Sequence, residues 1–195
     1  MQLLPSARIA YADPPYPGQA HLYKDHPDFG GEVDHAELLN QLVSYDGCIL
    51  HTSSPALGHI IDCARNAGLE DNDYRIVAWV KQWASWKPGT RLQYAWEPVL
   101  VKPARPPRER ADAQNGQSSI RDWMMERMAM RKGLAGAKPN SVSQWLFTCV
   151  GAETTDTLHD MFPGTGAVTE AWNSWIQSCQ EEPEQLKLQN ITSEH

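Results

Sequence analysis

The sequence predicts an α/β fold, a mostly parallel sheet of about five strands with helices packed against it. Two observations carry this. Short β-favouring runs alternate with stretches whose apolar residues recur at helical spacing, as in strand–helix–strand units. The 195 residues also suit one domain, at roughly 150 residues each, with room for an insert. A third observation directs the search for function. Ligands of such sheets bind beyond the carboxyl ends of the strands, and the two most unusual motifs of the chain both fall at strand ends. The domain is expected over residues 1–179, with a basic insert at about 103–137 and a polar, disordered tail over 180–195.

The first strand, Ala7 to Ala12, runs into Asp13-Pro14-Pro15-Tyr16-Pro17-Gly18, where two successive prolines lack backbone donors and stop it. After a polar loop from Gln19 to Gly31, a helix opens near Asp34 with Ala36, Leu38, Leu39, Leu42 and Val43 on one face. The second strand is expected from Gly47 to Ser53. Pro55 then opens a helix carrying Leu57, Ile60, Ile61 and Ala64, which stops at Gly68. Tyr74 to Lys81 and Gln93 to Lys102 are the next strands, with Glu97-Pro98 marking an edge or a bulge in the latter. Pro103 to Pro107 breaks all regularity, a Met-rich helix is predicted from Ser119 to Lys132, and Gly133 to Gly136 forms a hinge. Lys138-Pro139-Asn140-Ser141 starts a helix with Val142, Trp145, Leu146, Cys149 and Val150 at helical spacing. A short strand, Thr157 to Met161, leads through Phe162-Pro163-Gly164-Thr165-Gly166 into a helix from Ala167 to about Ile176.

The net charge of −7 argues against a polyanionic partner, but the average hides a split. Residues 102–138 hold nine basic and four acidic groups, a local +5, while the remainder is −12. Such a segment is either a solvated, charge-laced face or a nucleic-acid contact. In the predicted helix Met124, Met125 and Met128 form a buried stripe, and Arg121, Arg127, Arg131 and Lys132 are available for phosphates. No apolar run approaches the roughly 20 residues of a membrane span, and Met1 to Pro5 lacks the basic start and apolar core of a signal peptide. A soluble, cytoplasmic protein is therefore expected. Cys48, Cys63, Cys149 and Cys179 form no CxxC pair and are expected as reduced thiols.

Asp13-Pro14-Pro15-Tyr16 has a specific chemical use. The lone pair of a nucleobase amino group is delocalised into the ring, which makes the nitrogen a poor nucleophile. A carboxylate at Asp13 and the carbonyl of Pro14, each accepting one amino hydrogen, would draw that nitrogen toward a tetrahedral shape, while Tyr16 offers a face for a flipped base. Taken alone, the motif reads first as an ordinary turn leaving a strand. Phe162-Pro163-Gly164-Thr165-Gly166 is a Gly-rich strand-to-helix turn, where backbone approaches a ligand closely and a helix N-terminus exposes N–H groups. It is not a P-loop, since no Lys-Ser/Thr pair follows Gly166.

Together these motifs resemble those of the DNA amino-methyltransferases that use S-adenosylmethionine. Asp13-Pro14-Pro15-Tyr16 matches their (D/N/S)PP(Y/F/W) catalytic motif, Phe162-Pro163-Gly164-Thr165-Gly166 their FxGxG cofactor motif, and Lys138-Pro139 their KP motif. The order, catalytic motif first, is that of the permuted members of the family. The resemblance implies a Rossmann-like methyltransferase three-layer sandwich, permuted and truncated. Asp13, Pro14, Pro15 and Tyr16 would hold the target amino group and base. Asp13, Lys138, Asp160, Phe162, Pro163, Gly164, Thr165 and Gly166 would line the cofactor, S-adenosylmethionine. Glu97 to Val101 matches the family's late edge strand loosely, and Met161 stands where typical members have Pro. The two strands that usually follow, with the acidic residue that binds the cofactor ribose, have no counterpart. The strand ending at Asp160 is therefore expected at a sheet edge, covered by the tail or by a partner subunit in a homodimer or complex. The activity implied is methyl transfer to N6 of adenine in DNA. N4 of cytosine and adenine in RNA are rival targets, and a silent nucleic-acid-binding subunit is the rival class.

Other residues carry less. Cys48 and His51 lie three apart in a strand and face opposite sides, which does not make a metal site. His21 and His26 read as solvated loop residues and Ser53-Ser54 lacks the glycines of a nucleophile elbow. Trp79 reads as core, while Trp83 and Trp86, near Lys81 and Lys87, are equally cover or lining for an unstacked base.

Overall fold

The computed structural model describes residues 5–18, 20, 31–85, 88–106, 120–127 and 138–192, with side chains at all of these except 84–85 and 181–192. In chain order the elements are β1 (Arg8–Ala12), α1 (His35–Leu42), β2 (Gly47–His51), a 3-10 turn (Ser54–Ala56), α2 (Leu57–Asn66), β3 (Arg75–Ser85), β4 (Tyr94–Lys102), β5 (Trp123–Glu126), α3 (Asn140–Cys149), β6 (Thr157–Asp160) and α4 (Ala167–Thr192).

Local chemistry explains their limits. The Asp34 carboxylate accepts from the backbone N–H of Ala36 (2.9 Å) and Glu37 (3.1 Å), capping α1. Pro55 sits in the 3-10 turn that leads into α2, and Gly68, at φ +93°, turns the chain beyond that helix.

One six-stranded sheet has the order β5-β3-β4-β2-β1-β6. β1 pairs in parallel with β2 and β6, β3 in parallel with β5, and β4 antiparallel with both β2 and β3. Five strands thus run one way and β4 alone runs against them. Helices cover both faces. Ile9, Tyr11, Ile49, Val77, Trp79, Val99 and Val101 pack beneath α3 and α4 through Leu146, Phe147 and Trp172. Ala10, Cys48, Leu50 and Leu100 pack beneath α1 and α2 through Leu39, Leu42, Ile60 and Ala64. This alternation of faces along each strand produces three layers. Cys48 and His51 accordingly lie on opposite faces, and none of the four cysteines is in a disulfide. No described helix is long and apolar enough to cross a membrane.

The sheet, expected at about five strands, has six among the described residues. Three expectations are corrected. β4, for which Glu97-Pro98 suggested an edge or a bulge, is not an edge and lies in the interior. Pro98 is tolerated because its missing donor faces β2, where its carbonyl accepts from the Thr52 N–H at 3.1 Å but no bond can return, and β2 ends one residue earlier at His51. Within the predicted helix Ser119–Lys132, residues 123–126 form β5, paired along β3 from Ala78↔Trp123 to Lys81↔Glu126. Met124 packs against the core and Met125 is 53% exposed, the period of a strand. Strand pairing here overrides an ambiguous local pattern; residues 128–132 lie outside the described residues. Finally α4 continues to Thr192, through most of the tail expected to be disordered. Glu181, Glu182, Glu184, Gln185, Leu186, Lys187 and Leu188 are strong helix formers, and polarity alone does not distinguish a helix from a disordered tail.

Candidate functional site

β1 is the point at which the strand order reverses, because β2 lies on one side of it and β6 on the other. The chain leaves β1 toward α1 on one face of the sheet and leaves β6 toward α4 on the other. The crevice between two such diverging connections is where this architecture binds ligands. Tyr11 and Asp160 are register partners, and the Met161 N–H donates to the Tyr11 carbonyl at 2.9 Å. Asp13-Pro14 and Phe162-Pro163, about 150 residues apart in sequence, therefore leave the sheet side by side.

Lys138 reaches this crevice from the start of α3, where Pro139 holds the N-cap position, and its ammonium pairs with Asp13 Oδ2. The Lys138 side chain is 10% exposed and that of Asp13 31%. Asp160 Oδ1 accepts from the Phe162 N–H at 3.2 Å, which ties the strand end to the loop. Its other oxygen, Oδ2, is buried with no hydrogen-bond partner among the described residues. Burial, aided by the neighbouring Asp13 charge, pushes the Asp160 carboxyl above the usual carboxylate range. Gly164 and Gly166 have φ of +47° and +79°, and a Cβ on either would meet nothing closer than 3.9 Å, so these glycines serve the backbone path and not a tight contact. Gly166 donates to the Pro163 carbonyl at 2.7 Å, closing the turn that starts α4. Phe162 packs against the core under α1 and α2.

A second group of side chains continues the site across β4. The Tyr16 hydroxyl donates to Glu97 Oε2 at 2.9 Å, and Lys81 Nζ lies 2.5 Å from Glu97 Oε1. Burial raises the Glu97 carboxyl, but the Lys138 and Lys81 ammoniums outweigh it and hold the group below its ordinary range. Beneath, His51 Nε2 and the Tyr11 hydroxyl are 2.7 Å apart, with Ser143 Oγ at 3.4 Å from that hydroxyl. Burial, with Lys138 adding to it, keeps His51 well below the ordinary imidazole range, hence neutral. His51 Nδ1 and Thr52 Oγ1 are buried without partners among the described residues.

Asp13, Pro14, Pro15, Tyr16, Lys138, Asp160, Phe162, Pro163, Gly164, Thr165 and Gly166 all lie at the carboxyl end of the sheet around this crevice. Sequence reasoning missed Glu97 as a site residue, and with it Lys81 and His51. A signal was available: Lys81 follows Val77 and Trp79, and Glu97 precedes Val99 and Val101, at the inward-facing period of their strands, where an uncharged residue is the default.

The basic segment is used in two ways. Lys102 Nζ donates to the carbonyls of Tyr45 (2.6 Å) and Val43 (3.3 Å), and Arg105 grips Asp156 bidentately at 2.6 and 2.7 Å, so both serve the fold. The Arg121 guanidinium stands over the Trp123 ring, 5.5 Å from its centroid, and Arg127 is exposed beyond β5. Arg131, Lys132, His21, His26 and Trp86 lie outside the described residues. Trp79 is core, with its indole N–H donating to the Glu126 carbonyl at 3.3 Å, and Trp83 is 42% exposed.

No protein-family model and no curated protein matches the chain. Among solved structures it is similar to M1.HpyAVI in complex with SAM, with 14% sequence identity and a TM-score of 0.54, covering 89% of this chain and 79% of that one. It is likewise similar to a structure of M1.HpyAVI described without SAM, at 13% identity and a TM-score of 0.50, over 88% and 78%. At such identities the likeness is one of fold, a mixed α/β, Rossmann-like sheet with helices on both sides.

Proposed function

We propose that the chain transfers a methyl group from S-adenosylmethionine to the N6 amino group of adenine in DNA. The observation that carries this reading is the emergence of Asp13-Pro14-Pro15-Tyr16 and Phe162-Pro163-Gly164-Thr165-Gly166 from adjacent parallel strands in register, with Lys138 on the Asp13 carboxylate. A neighbour of the same fold is described as a SAM complex, which supports the choice of cofactor.

The residues present suit that cofactor. The Gly-rich turn has open space around Gly164 and Gly166 at the start of α4, room for a ligand beside its backbone, and the buried Asp160 Oδ2, without a partner among the described residues, offers an acceptor nearby. Asp160, Phe162, Gly164, Thr165 and Gly166 would hold the cofactor, with Lys138 alongside. When bound, the cofactor supplies the methyl group on an electrophilic sulfonium. The protein's part is to present the amino nitrogen. Lys138 occupies Asp13 Oδ2 and leaves Oδ1 to accept one amino hydrogen, while the buried, rigid Pro14 offers its carbonyl to the other. Tyr16 supplies the stacking face. Those two acceptors orient the lone pair, and the surplus proton leaves after transfer without a dedicated base. DNA contacts outside the crevice fall to Arg121, Arg127, Arg131 and Lys132.

Nucleoside mass spectrometry of DNA from cells expressing the wild type, Asp13→Ala or an empty vector tests this. Methyladenine is expected in the wild type and at vector level in Asp13→Ala. Methylcytosine instead would move the target to N4 of cytosine, and no methylated base in DNA or RNA would sink the reading. The rival class, a silent nucleic-acid-binding subunit, draws support from β6 standing at the sheet edge with no strand beyond it among the described residues. Isothermal titration with S-adenosylmethionine separates the two, since a silent subunit gives no binding heat.

A further inference from the structure

Glu97, whose side chain is 16% exposed, is held by partners that the amino-group chemistry does not use. It is the register partner of Trp79, two positions before Lys81 on β3, so the Lys81 ammonium meets it diagonally across the β3–β4 ladder. Lys81 is itself pinned, with its Nζ 5.3 Å from the Trp79 ring centroid and its side chain only 6% exposed. One Glu97 oxygen is thereby fixed on the rigid part of the sheet. The other accepts the Tyr16 hydroxyl at 2.9 Å, across 81 positions of sequence. Tyr16 stands on the Pro-rich connection after β1, with no helix or strand of its own to fix the ring. A charge-assisted hydrogen bond to a clamped carboxylate is the strong kind, and it constrains the angle of the ring.

We propose that Glu97, clamped by Lys81, is the positioning residue for Tyr16, fixing the phenol so that its ring is preset as the stacking face for the extruded target base. This rests on the methyl-transfer reading. Glu97 acts through Tyr16 and does not touch the reacting atoms. A base stacked on a preset ring brings its amino nitrogen to Asp13 and Pro14 without first ordering the loop, so the effect falls on kcat more than on DNA affinity.

The test combines kinetics with a spectroscopic readout that needs no turnover. Glu97→Gln keeps the shape and removes the charge. It is expected to lower kcat roughly tenfold, the fold-change equivalent of about one net hydrogen bond, with the KM for unmethylated plasmid DNA near wild type. In a Tyr16→Phe background the same substitution should change kcat little, because its route is already cut. Losses that multiply in the double variant would overturn the proposal and make Glu97 a group that acts on substrate directly. In 13C-tyrosine-labelled protein, the Tyr16 ring signal, assigned by its loss in Tyr16→Phe, should shift in Glu97→Gln and in Lys81→Met. An unmoved signal in both overturns the proposal whatever the kinetics. If the wild type transfers no methyl group while that signal does respond, the methyl-transfer reading fails and the positioning role falls with it, yet the Glu97–Tyr16 contact stands. Failure of the inference and failure of the reaction are thus told apart.

Discussion

Lys138, one residue before the proline that opens α3, pairs with Asp13 at the end of β1 across 125 positions of chain. The same ammonium, together with that of Lys81, holds the Glu97 carboxyl down against its burial. One cation therefore serves two carboxylates at the crevice, and its removal has a signed consequence. Glu97 lies below its ordinary range in the wild type, so it stays ionised through neutral and mildly acidic solution. In Lys138→Met burial is opposed by Lys81 without Lys138, and the Glu97 carboxyl rises. The acidic limb of the pH–rate profile for the proposed methyl transfer should then move to higher pH. A limb that stays in place would show that Glu97 ionisation does not govern the reaction.

At the opposite end of the sheet Arg105 pairs with the buried Asp156. Asp156, whose side chain is fully buried, takes both Arg105 nitrogens and accepts the backbone N–H of Ala7 and Glu153 at 2.8 Å each. Arg105→Ala strands that carboxylate, and a loss of about 3 kcal/mol in urea unfolding is expected. The pH dependence follows from sign. Although burial raises the Asp156 carboxyl, its hydrogen bonds with Arg105 and the backbone bring it below the ordinary range. Its stabilisation is thus fully present above the unfolded value of about 4 and is lost as pH falls through the lower folded value. The acid-induced loss of stability should be shallower in Arg105→Ala. An unchanged slope would mean the pair contributes nothing net.

Much of this was legible in the sequence because it depends on local chemistry. Asp34 caps a helix, Pro55 starts one, Gly68 turns the chain after one, and Asp13-Pro14-Pro15 stops a strand, each through its own backbone or side chain. What escaped depends on partners. Trp123 to Glu126 become a strand only because β3 lies alongside, and β4 is interior only because β2 ends where Pro98 withholds its donor. The Lys81–Glu97–Tyr16 chain is set by the β3–β4 register, and no spacing within either segment encodes that register. The two motifs at strand ends were legible, but the pairing of Lys81, Glu97 and Tyr16 beside them was not.

The same partners narrow which charges meet DNA in the proposed function. Lys102, Arg105 and Lys138 are engaged within the protein, which leaves Arg121 and Arg127 as the described candidates in the basic segment, with Arg131 and Lys132 beyond them. Replacing Arg121, Arg127 and Arg131 by Gln should weaken DNA binding and lower the slope of log K against log salt by about 0.9 for each phosphate that is no longer neutralised. Lys102→Gln should leave the slope as it is. Fluorescence anisotropy with a labelled duplex over a salt series reads both. Equal slopes in the triple variant and the wild type would remove these arginines from the interface.

Helix α4 links stability to the proposed cofactor loop, because it begins one residue after Gly166. Its anchor is Trp172, 7% exposed, which meets Phe147 of α3 edge to face with centroids 5.0 Å apart and stacks on Trp175 at 5.3 Å. Removing that indole from a closed core should destabilise the fold by about 3 kcal/mol or more, through reduced burial and the cavity left behind. Trp175 is only partly buried, so Trp175→Ala should cost less. The functional consequence differs from that of a site residue. Trp172→Ala loosens the base on which the Gly164–Gly166 turn is built, so S-adenosylmethionine binding by isothermal titration should weaken even though Trp172 belongs to the core, while Trp175→Ala should bind nearly as the wild type does. Full affinity in a destabilised Trp172→Ala protein would show that the turn holds its shape independently of the α3–α4 packing beneath it.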